Sequence, residues 1–425
     1  MSNQVSTKKV STALGLAFLG YAISLLLNTI VARILSINHF GDFAVAVSFG
    51  TLLSSGIDLG GAWAIMKFIP IYRHKQQATK IKGYIVFYGS LIVILGALLL
   101  AASFATYHTF NHFKLDHQHP IYYAVLIVPF LCFINLFAGL YLSSERLILG
   151  ATSKNCFYPA INIGFILTFY LINHSLDSYQ AVLITALAAA TTCLALAIHV
   201  NKTFPLLFSK KTHPTYRAKE WLKISLPGML NAFSLCLSTQ VNLFMLEILA
   251  QNENQVSFFA ASHRLSSIIF ILSTGISMIF LPKISSAMLN GHQASKMLFK
   301  QYSISSTLLS LPIITLLCVF SKTWLSLFGS NYVDAQIVVQ LIAASYFASM
   351  VFLPIENFLY YGGHERMITW GVIIRLSINL GLNIYLVPSM GASGSALATL
   401  IARLVCSMVF LYIFYTRIWR KKTSP

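Results

Sequence analysis

The chain has 425 residues, of which 57% are hydrophobic and 9% are charged, whereas soluble domains carry about 25% charged residues. The formal net charge is +18, but no basic, aromatic-rich domain stands apart from the apolar sequence, which argues against nucleic-acid binding. There is no Walker A loop, GxSxG nucleophile or HExxH zinc motif, so the sequence predicts neither an enzyme nor a cofactor. This composition is typical of an integral membrane protein.

Twelve apolar runs follow one another along the chain, and a spanning helix needs about 20 such residues to cross a bilayer core. The runs are 12–36, 41–65, 83–107, 120–144, 156–173, 179–200, 221–249, 256–282, 301–320, 334–360, 367–388 and 391–416. They predict an all-α integral membrane protein with twelve transmembrane helices.

Basic residues fall on alternate connections between these runs. If the N-terminus is cytoplasmic, the inner segments hold 23 Lys and Arg residues, and the outer loops hold only Lys114 and Lys322. Membrane proteins keep Lys and Arg on the cytoplasmic side, so we predict that both termini are cytoplasmic. The inner charges are also suited to contact with anionic lipid headgroups.

A short internal repeat relates the two halves of the sequence. Ser24-x3-Asn28-x4-Arg33-Ile34-Leu35 in the first run corresponds to Ser238-x3-Asn242-x4-Glu247-Ile248-Leu249 in the seventh, at an offset of 214. Six predicted helices separate the copies, so the halves would have the same orientation in the membrane. We predict an N-terminal lobe over 1–200, a cytoplasmic inter-lobe loop over 201–220, and a C-terminal lobe with a basic tail over 221–425.

Polar residues recur at three- and four-residue spacing on the first two runs of each half. They are Tyr21, Ser24 and Asn28; Ser48, Thr51, Ser55 and Asp58; Asn231, Ser234, Ser238 and Asn242; and Arg264, Ser267 and Thr274. Such spacing places each set on one helix face. These faces are expected either to line a water-filled cavity or to form hydrogen bonds between helices.

Histidine and cysteine residues predict no metal site. The outer loop 108–119 holds four histidines, of which His108 and His112 are four residues apart, but no helix is evident there to bring them together. The six cysteines lie within predicted helices and lack metal-ligand spacing.

Several motifs, in order and at consistent spacing, give the chain a family resemblance. They are Ala32-Arg33-Ile34-Leu35 with Phe40-Gly41, Asp58-Leu59-Gly60, Ser225-Leu226-Pro227, Ala260-Ala261 with Arg264-Leu265, Phe328-Gly329 with Tyr332, and Val387-Pro388 with Gly391 and Gly394. With these motifs the chain resembles the polysaccharide transporter family, the O-antigen flippase type within the multidrug/oligosaccharidyl-lipid/polysaccharide (MOP) exporter superfamily. Asn38-His39, Lys67 and Ser395 depart from the usual family pattern.

The resemblance implies a MATE-like fold of two six-helix lobes, with the first, second, seventh and eighth helices around a cavity that opens alternately to each side. It implies that the substrate is an oligosaccharide linked through diphosphate to a polyprenol, moved across the bacterial inner (plasma) membrane during O-antigen or other polysaccharide biosynthesis. Expected partners are this lipid-linked substrate, membrane lipids and other polysaccharide-assembly membrane proteins, with possible proton or sodium coupling.

Ionisable residues within the runs are the candidate site residues. Arg264 is the main expected substrate contact, since guanidinium binds diphosphate with several donors; Arg33, Asn28, Asn242 and Arg403 are further expected contacts. Arg403 could instead pair with Glu356.

Two acidic residues are assigned to coupling or gating. Asp58 could bind a coupling proton or cation, or hydrogen-bond to a neighbouring helix. Glu247 occupies the repeat position of Arg33, so the two could close an outer gate or simply reach interfacial water.

Two other functions stay open at this point. A multidrug or small-metabolite exporter of the same superfamily would have the same architecture, although basic membrane residues suit anionic cargo better than cationic drugs. A membrane polysaccharide polymerase or ligase usually carries a large outer loop with arginine and histidine; the longest outer loop here, roughly 321–335, contains neither.

Overall fold

The computed structural model describes residues 7–112, 120–205 and 213–419, and within these ranges the chain is helical throughout, with short connections. The α-helices are α1 Thr7–Ile34, α2 Ile37–Ile57, α3 Gly61–His74, α4 Ala78–His112, α5 Ile121–Ala124, α6 Val128–Ser143, α7 Leu147–Thr152, α8 Tyr158–Asn173, α9 Ser178–Thr203, α10 Ala218–Leu249, α11 Asn254–Ser266, α12 Ile268–Leu289, α13 His292–Val319, α14 Ser321–Ser326, α15 Gln336–Leu359 and α16 Glu365–Phe414.

Ten helical segments of the described residues are long and apolar enough to cross a membrane. The last of them, Ser330–Arg417, contains two glycines with left-handed backbone, Gly363 (φ 84°) and Gly391 (φ 57°). These breaks divide the segment into three helices, so the described chain has twelve candidate spans. The predicted fold class is confirmed.

Glycine, and not proline, marks the interruptions in these helices. Besides the two breaks above, α2 and α3 are separated by Leu59 (φ 47°) and Gly60 (φ 74°). Pro227, by contrast, lies inside the continuous helix α10. Neighbouring groups satisfy the backbone around a proline in a membrane helix, which therefore continues through it.

Two compact units make up the chain, residues 1–240 and 241–425. The boundary between them falls inside α10, after Gln240, whereas the sequence analysis places the lobe boundary before this helix. The division into an N-terminal lobe over 1–200 and a C-terminal lobe over 221–425 stays a prediction.

The first turns of α10 pack into the core of the first unit. Trp221 is fully buried, and its indole N–H donates to the Tyr72 hydroxyl at 2.9 Å. Tyr88 donates to the Ser225 hydroxyl at 2.8 Å. Burial raises the pKa of the Tyr72 phenol, so it stays protonated while it accepts this bond. Aromatic rings and polar groups thus fix the start of α10 to the first unit.

The second unit has its own apolar core, built on α12, α13, α15 and the end of α16. Tyr302 and Phe280 stack with ring centroids 4.6 Å apart, and the Tyr302 hydroxyl accepts from the Asn357 amide at 2.7 Å. This core holds the helices that carry the ionisable residues described below.

Some sequence predictions concern residues outside the described ranges. These are His117, His119, Lys114, Lys210, Lys211 and the tail from 420 onward. The expectation that no helix lies near His108 and His112 is wrong, because α4 continues to His112. The helix of the third apolar run, 83–107, extends beyond its apolar part.

Candidate functional site

Three arginines, one glutamate and one tyrosine form an arginine cluster in the second unit. Arg403 interacts electrostatically with Arg375, Glu356 and Tyr346, and Tyr346 interacts with both Arg403 and Arg264. The cluster holds three guanidinium groups and one carboxylate, so its formal net charge is positive. Arg403 is half-buried, and its Nε atom is buried with no hydrogen-bond acceptor among the described residues.

Four residues of the cluster lie at a similar depth in their candidate spans. Each of them lies about ten residues after a helix start or after the Gly391 break, which is a distance of roughly 15 Å along the helix at 1.5 Å per residue. These residues are Arg264, Tyr346, Arg375 and Arg403. A bilayer core is about 30 Å thick, so these groups would lie near its centre. A charge at this depth is costly unless it is paired, hydrated or used for function.

A histidine beside Arg264 extends the cluster. The hydroxyl of Tyr346 and the Nε2 atom of His263 are 3.1 Å apart, within hydrogen-bonding distance. The ring of Phe259 stacks on that of His263, with centroids 6.1 Å apart. The first contact joins α11 to α15 and the second lies within α11, next to Arg264, which is itself half-buried.

A network of amides joins α10 to both halves of α16. Asn242 donates to the Thr399 hydroxyl at 3.0 Å and accepts from Asn383 at 3.1 Å. Asn379 also donates to Thr399, at 3.1 Å. Asn242 is 4% exposed and Asn383 is fully buried. The geometry therefore favours a packing role for Asn242, and its predicted contact with substrate stays a prediction.

The sequence analysis did not single out Asn379 and Asn383. A signal was available, because two asparagines four residues apart lie on one face of an otherwise apolar helix. Their partners come from residues more than a hundred positions away or beyond the Gly391 break, and no sequence pattern joins those positions.

The predicted contacts in the first unit are more accessible. The amide of Asn28 donates to the Ser24 carbonyl of its own helix at 2.7 Å, and its side chain is half-buried. Arg33 is exposed in the last turn of α1. Glu247, in the second unit, is exposed near the end of α10. The gate pair between Arg33 and Glu247 stays a prediction.

Asp58 lies at the break between α2 and α3. Its carboxylate accepts from the Gly60 amide at 2.9 Å and interacts with the amide of Ala62. It therefore caps the start of α3, a position that carboxylates favour because the first amides of a helix have no internal partner. Its role in ion coupling stays a prediction.

The hydroxyls of the polar faces form hydrogen bonds within their own helices. Thr51 donates to the Val47 carbonyl at 2.8 Å, and Ser238 donates to the Ser234 carbonyl at 2.8 Å. Ser267 likewise donates to the Arg264 carbonyl at 2.7 Å. Such bonds satisfy the hydroxyls without a water-filled cavity. Cavity lining by these faces stays a prediction.

Comparison with known protein families identifies the chain at this point. The sequence profile of a family described as "Polysaccharide biosynthesis protein" matches residues 6–288. The chain belongs to this family. No curated protein sequence matches it significantly.

Solved structures with the same architecture come from transporters of the MOP superfamily. An inward-facing multidrug resistance MATE family transporter has a TM-score of 0.74 and 17% identity, over 97% of this chain and 96% of that one. The lipid II flippase MurJ in an inward closed conformation has a TM-score of 0.72 and 15% identity, over 95% and 86%. A MOP transporter from Pyrococcus furiosus has a TM-score of 0.68 and 16% identity, over 98% and 96%.

These likenesses establish the MATE/MOP fold for this polysaccharide biosynthesis protein. The twelve candidate spans make the chain a multi-pass membrane protein.

Proposed function

We propose that this protein is a flippase that moves a polyprenyl-diphosphate-linked oligosaccharide across the bacterial plasma membrane by alternating access. Family membership supports a role in polysaccharide biosynthesis. The likeness to MurJ, named as a flippase for lipid II, supports a lipid-linked cargo. Both termini are cytoplasmic in this proposal, as the distribution of basic residues predicts.

The arginine cluster is the observation that carries the proposal. A diphosphate has several anionic oxygens, and guanidinium groups bind such oxygens through charge-assisted, multidentate hydrogen bonds. With three arginines and one glutamate, the cluster has an excess of positive charge, whereas a single ion pair would have none. In this proposal Arg264 and Arg403 contact the diphosphate, while the polyprenyl tail stays in lipid.

A multidrug exporter is the second candidate, favoured by the high structural similarity to a MATE transporter. The net positive charge of the cluster repels the cationic compounds that such an exporter would carry. The two functions therefore differ in the charge of the cargo.

Deleting the gene in its host and locating the lipid-linked oligosaccharide tests the proposal. Accumulation in the cytoplasmic leaflet, with loss of surface polysaccharide, is the expected result. Normal surface polysaccharide with increased sensitivity to cationic drugs would reject the flippase and support the exporter. Restoration by the wild-type gene, but not by an Arg403→Gln gene expressed to the same level, would assign the defect to the cluster.

A further inference from the structure

A pocket opens at one end of the first unit, between the last turns of α3, α6 and α9 and the first turn of α4. It is lined by residues within 69–81, 140–144 and 203–205 and has a volume of about 410 Å³. Pockets for small molecules usually measure about 300–1,000 Å³. The four helix ends belong to connections that the distribution of basic residues predicts to be cytoplasmic. We call it the interfacial pocket, because the membrane surface would lie at this level.

Three helices each contribute to the interfacial pocket a polar residue at the helix end and an apolar residue one turn further inside. The pairs are Arg73 and Ile69 on α3, Ser144 and Leu140 on α6, and Gln77 and Ile81 on α4. Four residues of a helix span about 6 Å. Ile69 and Leu140 are buried, whereas Arg73 is exposed. The pocket is therefore apolar at its inner end and polar at its mouth, and a ligand that fills it must be amphipathic.

Ser144 has hydrogen-bonding capacity that the fold does not use. Its side chain is 6% exposed, and its Oγ atom is buried without a hydrogen-bond partner among the described residues. A buried polar atom without a partner costs free energy unless a ligand or a water molecule pairs with it. Ser144 lines the pocket, so an oxygen atom of a bound ligand can accept a hydrogen bond from it.

Two aromatic walls of the interfacial pocket are held in place by neighbouring side chains. Tyr72 accepts from the Trp221 indole at 2.9 Å. Phe204 packs on the Tyr141 ring with centroids 6.1 Å apart, and the guanidinium of Arg146 lies 5.5 Å from the centre of the Phe204 ring. The pocket is therefore formed before a ligand enters, which reduces the entropy lost on binding.

The turns around the interfacial pocket are basic. Residues 73–82, 144–146 and 202–205 together hold six Lys and Arg residues and one acidic residue, Glu145. Ala78, the first residue of α4, also lines the pocket, and the first amides of a helix attract anions because they have no partner within the helix. The mouth of the pocket is therefore suited to a negatively charged group.

The helix ends that would repel an anion are capped. The chain leaves α3 and α6 through residues in left-handed conformation, Gln76 (φ 52°) and Glu145 (φ 62°). In each of these turns, amides donate to carbonyls of the last helical turn at 2.8 to 3.2 Å. This pairing is typical of helix ends that close on a left-handed residue. Carbonyl oxygens engaged in this way have less negative charge to present to the mouth of the pocket.

We infer that the interfacial pocket binds an anionic phospholipid of the leaflet beside it. One acyl chain lies along Ile69 and Leu140 at the inner end. Ser144 donates to an ester oxygen, and the phosphate group contacts Arg73 at the mouth. Anionic lipids are abundant in the cytoplasmic leaflet, where this end of the unit is predicted to lie. The lipid stays in its leaflet and is not the transported cargo, so the inference goes beyond the proposed function and does not depend on it.

Photo-crosslinking with a phosphatidylglycerol that carries a diazirine on one acyl chain tests this inference. The full chain is reconstituted in phosphatidylcholine nanodiscs with a small fraction of the probe, and labelled peptides are identified by mass spectrometry. Peptides that contain Ile69 and Leu140 should be labelled more strongly than the peptide of Leu98, an exposed apolar residue of α4. Labelling of the pocket peptides no stronger than that of Leu98 would overturn the inference.

Two further probes identify the headgroup. A phosphatidylcholine probe with the same chains should label the pocket about fivefold less, since each basic residue at a membrane surface contributes on that order to the binding of an anionic lipid. Equal labelling by the two probes would overturn the preference for an anionic lipid. Stronger labelling by a diazirine-bearing polyprenyl diphosphate than by phosphatidylglycerol would make the cargo the occupant and would also overturn the inference.

Arg73→Gln tests the contact at the mouth. It should reduce labelling by the phosphatidylglycerol probe about fivefold, to the level of the phosphatidylcholine probe. Lys75→Gln is the matched control, because it removes an exposed charge from the same turn but outside the pocket lining. Its labelling should stay within about twofold of wild type. Equal losses in the two variants would show a response to total charge and would remove Arg73 from the site.

Ser144→Ala separates ligand binding from stability. The hydroxyl has no partner in the described fold, so its loss should leave the unfolding temperature of the lipid-depleted protein unchanged or raise it. The same change should reduce labelling by the phosphatidylglycerol probe by about two- to fivefold, since a neutral hydrogen bond contributes on that order. A lower unfolding temperature with unchanged labelling would mean that the hydroxyl stabilises the fold and does not bind the lipid.

Discussion

Asn28 and Asn242 occupy equivalent positions of the sequence repeat, yet the two units use them differently. Asn28 is half-buried and donates only within α1, to the Ser24 carbonyl. Asn242 is 4% exposed and joins Thr399 and Asn383 on the two halves of α16. A repeat therefore specifies the helix and the face on which a polar residue lies. Its neighbours in the fold determine whether that residue is a packing group or an accessible one.

Charged residues show a parallel difference. In the first unit, Asp58 and Lys154 lie on interrupted helices, where the carboxylate is engaged with freed backbone amides. In the second unit, Arg375 and Arg403 lie on regular helical turns, whose backbone groups are already paired, and Arg264 lies in the last turn of α11. In the proposed function, Arg264 and Arg403 contact the anionic cargo. The comparison predicts that substitutions of the arginines in the second unit mainly reduce transport. Substitutions at the break in the first unit should mainly reduce the free energy of unfolding.

Arg403→Gln should cause the largest functional loss. Two charge-assisted hydrogen bonds to diphosphate, at about 1.5 kcal/mol each, correspond to a roughly 100-fold lower transport rate. Transport of a fluorescent lipid-linked oligosaccharide in proteoliposomes measures this effect. Arg366→Gln, at an exposed position near the start of α16, is the matched control and should transport normally. Equal rates for the two variants would remove Arg403 from the site.

Gly60→Ala should destabilise the first unit by about 2–3 kcal/mol. Its backbone is left-handed (φ 74°), and an added Cβ would collide with the Ser225 carbonyl; left-handed non-glycine residues cost of order 1–3 kcal/mol before any collision. Gly164→Ala is the control, because nothing lies within 4 Å of its added Cβ in regular helix. That change should be neutral or stabilising by up to about 1 kcal/mol. Unfolding of the purified protein measures both.

The asparagine pair tests the comparison itself. Asn242→Ala should lower the free energy of unfolding by about 1–2 kcal/mol, since it removes two buried interhelical hydrogen bonds and leaves Asn383 with one partner fewer. Asn28→Ala should cost less than about 0.5 kcal/mol, because its bond is within one helix. Unfolding under identical conditions compares the two. Equal losses would show that the repeat positions are structurally equivalent after all.

The last prediction concerns the attachment of α10 to the first unit. Trp221→Phe removes the indole donor to Tyr72 while keeping most of the buried ring, and should cost about 1 kcal/mol. Tyr72→Phe removes the same bond from the other side. The double variant should therefore cost little more than either single one. If the double variant lost as much free energy of unfolding as the two single variants together, the two residues would stabilise the unit independently of each other.

Apolar run length and the distribution of charge were sufficient to predict the twelve spans, because lipid requires every spanning backbone to be internally hydrogen-bonded. Gly363 and Gly391 lie at the predicted connections between the runs 334–360, 367–388 and 391–416. The same information did not locate the break between α2 and α3, which lies inside the run 41–65 and includes Leu59, a non-glycine residue in left-handed conformation.

The sequence predicts which ionisable residues are candidates for the site, but it does not predict which residues lie next to one another. Arg264 and Arg403 were named from their depth, but their common neighbour Tyr346 comes from a third helix and has no charge to reveal it. Lys154, which the sequence places before the predicted span 156–173, lies on the π-helical turn Ser153–Phe157 between α7 and α8. Contacts of this kind depend on helix rotation and on π-turns, which apolar periodicity does not encode.

Reconstitution of the purified protein in liposomes tests the central claim most directly. A fluorescent polyprenyl-diphosphate oligosaccharide is placed in both leaflets, and a membrane-impermeant quencher reports how quickly the inner pool reaches the outer leaflet. The account predicts that wild-type protein makes the inner pool accessible while Arg403→Gln leaves it protected, as in protein-free liposomes. Protection of the inner pool by fully folded wild-type protein under every imposed proton and sodium gradient, together with export of a cationic dye, would contradict it.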